Sequence, residues 1–311
     1  MKNRDRKVLA WKVLVWNGLV WNGLLWLLTA LATTSPAHAL QVTDDRGVTV
    51  VFAQSPQRIV SLLPSLTESV CALAACQRLV GVDRYSNHPA SVQQLPVLGG
   101  GLDPNIEGVL ALRPDVVLVA GSSRSSARFE ALGLKVVALE TKTHADVKRV
   151  LNTLGVLLAV PEAAGADQLW RSIDARLSAA SQSLSPQAKN TRVYFEVSRG
   201  PYAAGESSFI GETLRRLGVK NIVPAALGPF PKLNPEFVVR ANPDLIMIGN
   251  RSMEALVPYP GWASLQAVKT QRICVFSPLE ADMLVRPGPR MAEAAQLMAQ
   301  CLEKHAAARA R

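Results

Sequence analysis

One stretch of the sequence occurs twice, first as Asn105-Ile-Glu-Gly-Val-Leu-Ala-Leu-Arg-Pro-Asp-Val-Val-Leu-Val119 and again as Asn234-Pro-Glu-Phe-Val-Val-Arg-Ala-Asn-Pro-Asp-Leu-Ile-Met-Ile248. The two copies align without a gap, and Asn, Glu, Val, Pro and Asp coincide at a constant offset of 129 residues. Each copy predicts an asparagine N-cap, a two-turn helix that stops before proline, and a buried strand. A repeat of this length predicts two lobes of similar fold.

Strands and helices alternate outward from both copies. The apolar runs are continuous, which is typical of strands buried on both faces. Helices between such strands indicate parallel sheets, so we predict an α/β fold class with two Rossmann-like lobes, each built on a central parallel sheet. In the first lobe, Ser65-Leu-Thr-Glu68 predicts a capping box at a helix start. The predicted strands are Arg58–Leu63, Arg78–Val82, Asp115–Ala120, Leu134–Leu139, Arg192–Val197, Val219–Val223, Asp244–Ile248 and Arg272–Phe276.

A single long helix is predicted to join the two lobes. Residues 144–184 carry no strand signal, and Ala163–Leu184 is rich in alanine, leucine, glutamine and arginine. Pro161 suits the first turn of this helix, and Pro186 ends it. A helical joint predicts small hinge motion, and the cleft at the carboxyl ends of the strands is the expected ligand site. The predicted boundaries are 40–160 for the N-terminal lobe, 161–185 for the connecting helix and 186–311 for the C-terminal lobe.

The first forty residues have the pattern of a secretory signal. Basic Met1–Lys7 is followed by apolar Val8–Ala32 and by Ala37-His-Ala39, an A-x-A cleavage site. We therefore predict a signal peptide over residues 1–39, cleavage after Ala39 and export to the periplasm. The alternative is an uncleaved membrane anchor, because an apolar segment of this length can span a bilayer.

Export permits disulfide bonds. The four cysteines, Cys71, Cys76, Cys274 and Cys301, do not have the spacing of a metal site. Cys71 and Cys76 lie near each other in sequence, as do Cys274 and Cys301, and these are the pairings that we favour among the three that are possible. The alternative is four small buried thiols.

Composition and motifs exclude several classes of protein. Hydrophobic residues make up 49% and charged residues 19%, which excludes a disordered chain. The formal charge of +10 includes no block of Lys and Arg with interleaved aromatics, so no nucleic acid partner is predicted. His88, His144 and His305 are scattered, so no metal site is predicted.

A serine hydrolase, with Ser122 or Ser123 as nucleophile and His88 or His144 as base, is the catalytic alternative. An exported two-lobed chain without a catalytic motif favours a binding protein over an enzyme.

A set of motifs in this order and spacing resembles the helical-backbone substrate-binding proteins of ABC importers, which serve cobalamin, ferric siderophores and haem. The resemblance covers essentially the whole chain after residue 39. It implies the architecture of a class III periplasmic binding protein and no enzymatic activity. It also implies an inner-membrane permease dimer with a cytoplasmic ATPase as partner, and we expect a monomer. The motifs are Val42-Thr-Asp-Asp-Arg-Gly47, Pro56-Gln-Arg-Ile-Val-Ser-Leu62, Pro64-Ser-Leu-Thr-Glu68, Val80-Gly-Val82, Tyr85-Ser-Asn-His-Pro89 and Leu112-Arg-Pro-Asp115.

Within that family the chain is most similar to the cobalamin-binding members, which hold the corrinoid between aromatic side chains of both lobes. Tyr85, Tyr202 and Phe230 stand at matching positions, and Asp282 and Arg286 match an acid and a base beside the ligand. A corrin ring is flat and apolar with an amide rim, so aromatic faces and a few fixed polar groups suit it. The resemblance thus implies cobalamin as the transported ligand and no cofactor. A ferric siderophore or haem is the alternative, and plain packing is the alternative for the aromatics.

The sequence also departs from the cobalamin-binding members. Glycines 99–101 replace a tryptophan before the Asn105 helix, and Met283 and Leu284 stand where two aromatics are expected. The disulfide positions of the family do not match Cys71, Cys76 and Cys274. These departures allow a looser pocket or another flat ligand.

Glu107 and Glu236 occupy equivalent places in the two copies of the repeat. A carboxylate in the first turn of a helix is stabilised by the helix dipole, which is one interpretation of both residues. The resemblance implies the other, because one glutamate per lobe docks arginines of the two permease subunits in that family. Two carboxylates at a fixed separation suit a two-fold symmetric partner.

Overall fold

The computed structural model describes residues 39–161, 165–249 and 259–307, and the part from Leu40 onward forms one compact unit. The predicted signal peptide lies outside the described residues except for Ala39, as do residues 162–164 at the predicted start of the connecting helix. Over the described ranges, no helix combines the length and apolarity that crossing a membrane requires.

The N-terminal lobe follows a short antiparallel hairpin of β1 (Leu40–Thr43) and β2 (Thr49–Phe52). Its sheet has the order β4-β3-β5-β6, and every pair of neighbouring strands is parallel. The strands are β3 (Ile59–Ser61), β4 (Leu79–Val82), β5 (Val116–Ala120) and β6 (Val136–Leu139). The helices are α1 (Pro64–Ala72), α2 (Ile106–Ala111), α3 (Ser126–Ala131) and α4 (His144–Leu157).

The C-terminal lobe follows helix α5 (Ala166–Gln182). Its parallel strands have the order β9-β7-β10-β11, and β8 adds an antiparallel pairing to the end of β7. The strands are β7 (Arg192–Ser198), β8 (Tyr202–Ala203), β9 (Lys220–Asn221), β10 (Leu245–Gly249) and β11 (Ile273–Phe276). The helices are α6 (Phe209–Arg216), α7 (Pro235–Ala241), α8 (Gln266–Lys269), α9 (Pro278–Leu284) and α10 (Met291–Ala307).

The two sheets have the same strand order. In each lobe the second strand lies on one side of the first, and the third and fourth lie on the other side. The predicted α/β class with two parallel central sheets is therefore confirmed. In an open parallel sheet, ligands bind at the carboxyl ends of the strands where the order reverses. That place is beside the first strand of each lobe, β3 and β7.

The repeat adopts the same backbone in both lobes. Asn105 and Asn234 each accept a hydrogen bond from an amide in the first turn of the following helix, at 2.9 and 3.0 Å. At the far ends of these helices, Arg113 and Asn242 have φ of 45° and 43°, the left-handed conformation that ends a helix. Both pairs are 129 positions apart, so the repeated sequence encodes a repeated helix with its caps.

The Pro-Asp step of the repeat binds each helix to the start of a strand. Asp115 Oδ2 accepts the backbone N–H groups of Gln57 and Arg58, both at 2.8 Å, and Asp244 Oδ2 accepts that of Arg192 at 3.0 Å. The side chains of Arg58 and Arg192 donate in turn to carbonyls at the ends of α2 and α7. Local folding thus accounts for the Asn, Pro and Asp of each copy. It does not account for the glutamate that both copies carry.

Helix α5 lies inside the predicted connecting segment and packs against helices of both lobes, α4 and α10. Ile173, Leu177 and Ala180 are buried at helical spacing and form the contact face. The sequence did not predict helix α4 as an element separate from the connecting helix. It begins at a capping box in which Thr143 and Asp146 bond each other's backbone amides.

The four cysteines form two disulfide bonds. Cys71 pairs with Cys76 across the end of α1, and Cys274 of β11 pairs with Cys301 of α10. The first bond closes the turn after α1, and the second joins a strand to the C-terminal helix. Both are compatible with an oxidising compartment.

The capping box predicted at Ser65–Glu68 is wrong. Helix α1 begins at Pro64, and its N-cap Leu63 makes no side-chain hydrogen bond. Proline suits this position because it has no N–H that needs a partner. Glu68 is buried, and its carboxylate pairs with arginines of the other lobe instead.

Candidate functional site

Tyr85 follows the carboxyl end of β4 in a loop with a buried carboxylate beneath it. Asp83 is 1% exposed and accepts hydrogen bonds from Tyr85 N, at 3.1 Å, and from the Ser86 hydroxyl. Burial raises the pKa of the Asp83 carboxyl, while the Ser86 hydroxyl and the charge of Arg286 act in the opposite direction. The backbone of Tyr85 is therefore fixed, while the residue as a whole is 60% exposed.

Tyr202 and Phe230 lie on two segments of the C-terminal lobe that run side by side. Ala203 N donates to Pro231 O at 3.0 Å, which places β8 beside the loop that carries Phe230. The Phe230 ring meets the ring of Phe209 edge-on, with 6.2 Å between centroids. Tyr202 and Phe230 are 39% and 43% exposed, although both are aromatic.

Phe209, which packs against Phe230, also contacts the N-terminal lobe. Its carbonyl oxygen lies 3.2 Å from His144 Nε2, and the same ring nitrogen lies 2.9 Å from Thr213 Oγ1. Burial lowers the pKa of His144, although the charge of Glu212 favours the protonated form. His144, a candidate base in the hydrolase alternative, is therefore an interlobe packing contact.

Asp282, on α9, and Arg286, just after it, meet the N-terminal lobe at Tyr85. Arg286 Nη2 donates to Tyr85 O at 2.9 Å, and Arg286 Nη1 donates to Asn87 Oδ1 at 2.7 Å. Asn87 Nδ2 donates to Asp282 Oδ2 at 2.8 Å, and the same oxygen lies 3.1 Å from Arg286 Nη2. The structure thus brings together three of the five predicted ligand-binding residues, Tyr85, Asp282 and Arg286.

A second carboxylate joins this network from α1. Glu68 Oε1 lies 3.2 Å from Arg286 Nη1, and Arg290 holds the same carboxylate through two bonds, Nε to Oε2 at 2.9 Å and Nη2 to Oε1 at 2.6 Å. The side chain of Glu68 is 3% exposed. We call the five residues the interlobe cluster: Glu68, Asn87, Asp282, Arg286 and Arg290.

Glu68, Asn87 and Arg290 were not predicted from the sequence as parts of this site. Asn87 lies within the Tyr85–Pro89 motif, and Arg290 follows the predicted Arg286 by four residues. The available signal for Glu68 was a carboxylate among apolar residues of a helix, which requires a buried partner. That partner lies 218 to 222 residues away in the chain, so local pattern cannot identify it.

Glycines 99–101 form a tight loop beside Tyr85. Gly99 has φ of +83°, and a Cβ there would collide with the backbone carbonyl of Asp103. A Cβ at Gly100 would lie 3.6 Å from Tyr85 Cε2. The loop also carries Leu102, which is 97% exposed and which the sequence did not single out. An exposed aliphatic side chain therefore lies next to the glycine loop beside Tyr85.

The remaining candidates do not form a catalytic or metal centre within the described ranges. Ser123 Oγ bonds Ser125 Oγ at 2.9 Å, and Ser122 N bonds Glu140 at 3.1 Å. In the described part of the chain, neither His88 nor His144 hydrogen-bonds to either serine, and no group of three His, Cys, Asp or Glu residues could hold a metal ion.

Glu107 and Glu236 are exposed in the first turns of α2 and α7. Across the described residues, no hydrogen bond or ion pair occupies either carboxylate. Their equivalent positions follow from the shared fold of the two lobes. A structural partner therefore does not explain why both copies carry a glutamate here.

Glu196 of β7 is a buried carboxylate behind the loop that carries Tyr202. Its oxygens lie 3.0 Å from Tyr194 Oη and 3.4 Å from Tyr259 Oη, and Tyr259 Oη accepts the N–H of Gly200 at 2.7 Å. Burial raises the pKa of Glu196 to about 7, although both tyrosine hydroxyls favour the charged form. The ionised carboxylate therefore costs folding free energy near neutral pH.

The pKa of Glu196 predicts a pH-dependent effect of the Glu196→Gln variant on stability. The pKa rises from 4.5 in the unfolded chain to about 7 in the folded one. The stabilising contribution of the protonated carboxyl is full below pH 4.5 and is lost as the pH rises through 7. Glutamine does not titrate, so the free energy of unfolding of the variant relative to wild type should rise by about 2–3 kcal/mol between pH 5 and pH 8. Urea unfolding of both proteins at the two pH values measures this, and an unchanged difference would show that Glu196 ionises normally.

Two parallel α/β lobes that meet at the carboxyl ends of their strands, with exposed aromatics at that edge, define a two-lobed solute-binding protein. The chain belongs to the periplasmic binding protein family, whose model matches residues 59–278. It is 29% identical, over 84% of its length and 84% of the relative, to an uncharacterised ABC transporter substrate-binding lipoprotein, YvrC, of Bacillus subtilis. It is 26% identical to the vitamin B12-binding protein of Salmonella typhimurium, over 82% of its length and 93% of that protein.

Among solved structures, the chain is similar to a periplasmic haem-binding protein from Pseudomonas aeruginosa. The two are 28% identical with a TM-score of 0.69, and the match covers 80% of this chain and 93% of that one. Members of the family are substrate-binding proteins of ABC transporters and not enzymes, which rules against the hydrolase alternative. They carry transported ligands rather than cofactors, and they act with the permease and ATPase of an importer.

Proposed function

We propose that the protein captures cobalamin in the interlobe cleft and delivers it to the permease of an ABC importer. The observation that carries this proposal is the exposure of three aromatic rings from both lobes. Among the described residues, the most exposed aromatic side chains are those of Tyr85, Tyr202 and Phe230. Aromatic rings are normally buried, and a flat apolar ligand would cover them.

The charge balance beside Tyr85 favours an uncharged ligand rim. Arg286 is already paired with two carboxylates, those of Glu68 and Asp282. A carboxylate of haem or of a siderophore would have to compete with both for the guanidinium group. The amide rim of a corrinoid requires only hydrogen bonds, which Asp282 can accept and Asn87 can donate after small rearrangements.

The relatives support the same choice, and they also supply the alternative. The relative from Salmonella typhimurium is named for vitamin B12, and the similar structure from Pseudomonas aeruginosa is named for haem. Haem, or a ferric siderophore, is therefore the second candidate ligand, since a tyrosine hydroxyl, such as that of Tyr85 or Tyr202, is a suitable ligand for ferric iron.

The site of action is the periplasm in this proposal. Residues 1–39 act as a signal peptide that is cleaved after Ala39, and an uncleaved anchor is the alternative. The mature protein works as a monomer that meets the permease dimer with both lobes. Glu107 and Glu236 are the docking residues, because each is exposed, lacks a partner within the described structure and occupies the same position in its lobe.

The choice between ligands can be tested by retention of a coloured ligand. The mature protein, freed of ligand by unfolding and refolding, is incubated with cyanocobalamin or with haemin and then desalted. We expect the protein fraction to retain cyanocobalamin absorbance at one ligand per chain. Retention of haemin together with release of cyanocobalamin would assign the cleft to haem.

A further inference from the structure

In the interlobe cluster, charged side chains of the two lobes pair below the surface. Glu68 belongs to α1 of the N-terminal lobe, while Arg286 and Arg290 belong to the segment between α9 and α10 of the C-terminal lobe. The side chains of the two arginines are 11% and 19% exposed. Buried charges persist in a fold only when they are paired and hydrogen-bonded, as these are.

The hydrogen bonds of the cluster constrain the angle between the paired groups as well as the distance between them. Arg290 grips Glu68 with a two-bond fork, which fixes the angle between the guanidinium and carboxylate planes as well as their distance. Arg286 then bridges from Glu68 to Asn87 and to the carbonyl of Tyr85. A change in the angle between the lobes would break several of these bonds at once.

The cluster also fixes one wall of the proposed ligand site. The Tyr85 backbone is held from the C-terminal lobe at its carbonyl, by Arg286, and from its own lobe at its N–H, by Asp83. The ring is left free to meet a ligand. Within the described residues, Glu68 is hydrogen-bonded to Arg286 and not to Tyr85, so it acts through Arg286 as a positioning residue.

We propose that Glu68 anchors an interlobe latch, which sets the angle between the lobes and holds the Tyr85 platform in its binding position. The effect on ligand affinity rests on the proposed function, and the effect on lobe geometry does not. Without the Glu68 charge, Arg286 and Arg290 lose their ion pairs to α1 across the lobes, and the lobes separate over a wider range of angles.

The first readout is the distance between the lobes in the ligand-free protein. All four cysteines of the chain are paired, so cysteines introduced by Ala111→Cys and Arg240→Cys, which are exposed and equivalent in the two lobes, provide the only free thiols for spin labels. We expect one narrow distance distribution in the otherwise unchanged protein. Glu68→Gln should broaden it toward longer distances.

The matched control is Glu130→Gln, which removes the same charge from a pair with Arg46 inside the N-terminal lobe. It should leave the distribution unchanged. If Glu68→Gln does not fold, Arg290→Lys keeps the charge, removes the two-bond fork and should give the same broadening. A folded Glu68→Gln or Arg290→Lys protein with the narrow wild-type distribution would overturn the proposal.

The second readout is cyanocobalamin binding. Glu68→Gln should raise Kd for cyanocobalamin by about tenfold, chiefly through faster dissociation. This is expected when a buried charge pair that orders the site is broken. A purely structural role would lower Tm and leave Kd and the distance distribution of the folded protein unchanged, which would also overturn the proposal. If wild type binds no cyanocobalamin while the distances still depend on Glu68, the latch stands and the proposed ligand is wrong.

Discussion

Tyr85→Ala and Phe230→Ala are expected to weaken cyanocobalamin binding by roughly 30- to 100-fold each, or about 2–3 kcal/mol. Each substitution removes an exposed ring that the bound corrinoid would cover, together with the contact between two π faces. The rings come from different lobes, so the two losses should be nearly additive in the double variant. Calorimetric titration of each variant measures the effect.

Conservative substitutions at the same positions separate stacking from other causes. Tyr85→Phe keeps the ring and should bind within a few-fold of wild type, whereas Phe230→Leu keeps the bulk without the aromatic face and should bind like the alanine variant. Because both side chains are exposed, none of these changes should lower Tm markedly. If Tyr85→Ala and Phe230→Ala bind like wild type, these rings do not form the ligand platform.

Reversing both Glu107 and Glu236 to lysine is expected to abolish uptake in cells that carry the cognate permease, while Kd for the ligand stays within about twofold of wild type. The two carboxylates are exposed in the first turns of α2 and α7 and, within the described residues, have no hydrogen bond or ion pair to the interlobe cluster, so the reversal should not alter ligand contacts. Each single reversal should leave partial uptake, since one lobe still docks. Uptake of labelled cyanocobalamin, with Kd measured on the purified variants, tests both parts.

Asp167→Lys is the matched control for this experiment. Asp167 is also an exposed carboxylate in the first turn of a helix, α5, and it lies outside both copies of the repeat. Its reversal disturbs a helix dipole in the same way and should leave uptake intact. Full uptake by the double variant would mean that Glu107 and Glu236 only stabilise their helices.

The sequence predicts most of the fold because apolar runs, helix caps and turns are local patterns that can be identified without tertiary context. Continuous apolar runs mark the strands of both sheets, and the repeat places equivalent caps and turns at equivalent positions of the two lobes. The interaction of Asp115 and Asp244 with the strand starts explains why the Pro-Asp step recurs. The hairpin of β1 and β2 and the separate helix α4 were not predicted, since their short apolar runs are ambiguous without tertiary context.

The candidate site could be predicted only in part. Tyr85, Tyr202 and Phe230 were identified through resemblance, and their exposure is a property that the sequence does not report. Glu68 was misassigned because Ser-x-x-Glu fits a capping box, while its real partners are more than two hundred residues away. Interlobe pairing of this kind depends on how the two lobes are placed, which local pattern does not encode.

Calorimetric titration of refolded, ligand-free residues 40–311 with cyanocobalamin tests the central claim most directly. We predict saturable one-to-one binding that Tyr85→Ala and Phe230→Ala weaken. Circular dichroism on the same sample establishes that the protein is folded. Absence of heat at two temperatures from a folded sample would contradict the claim. The family assignment would stand, and haem and ferric siderophores would be the ligands to test next.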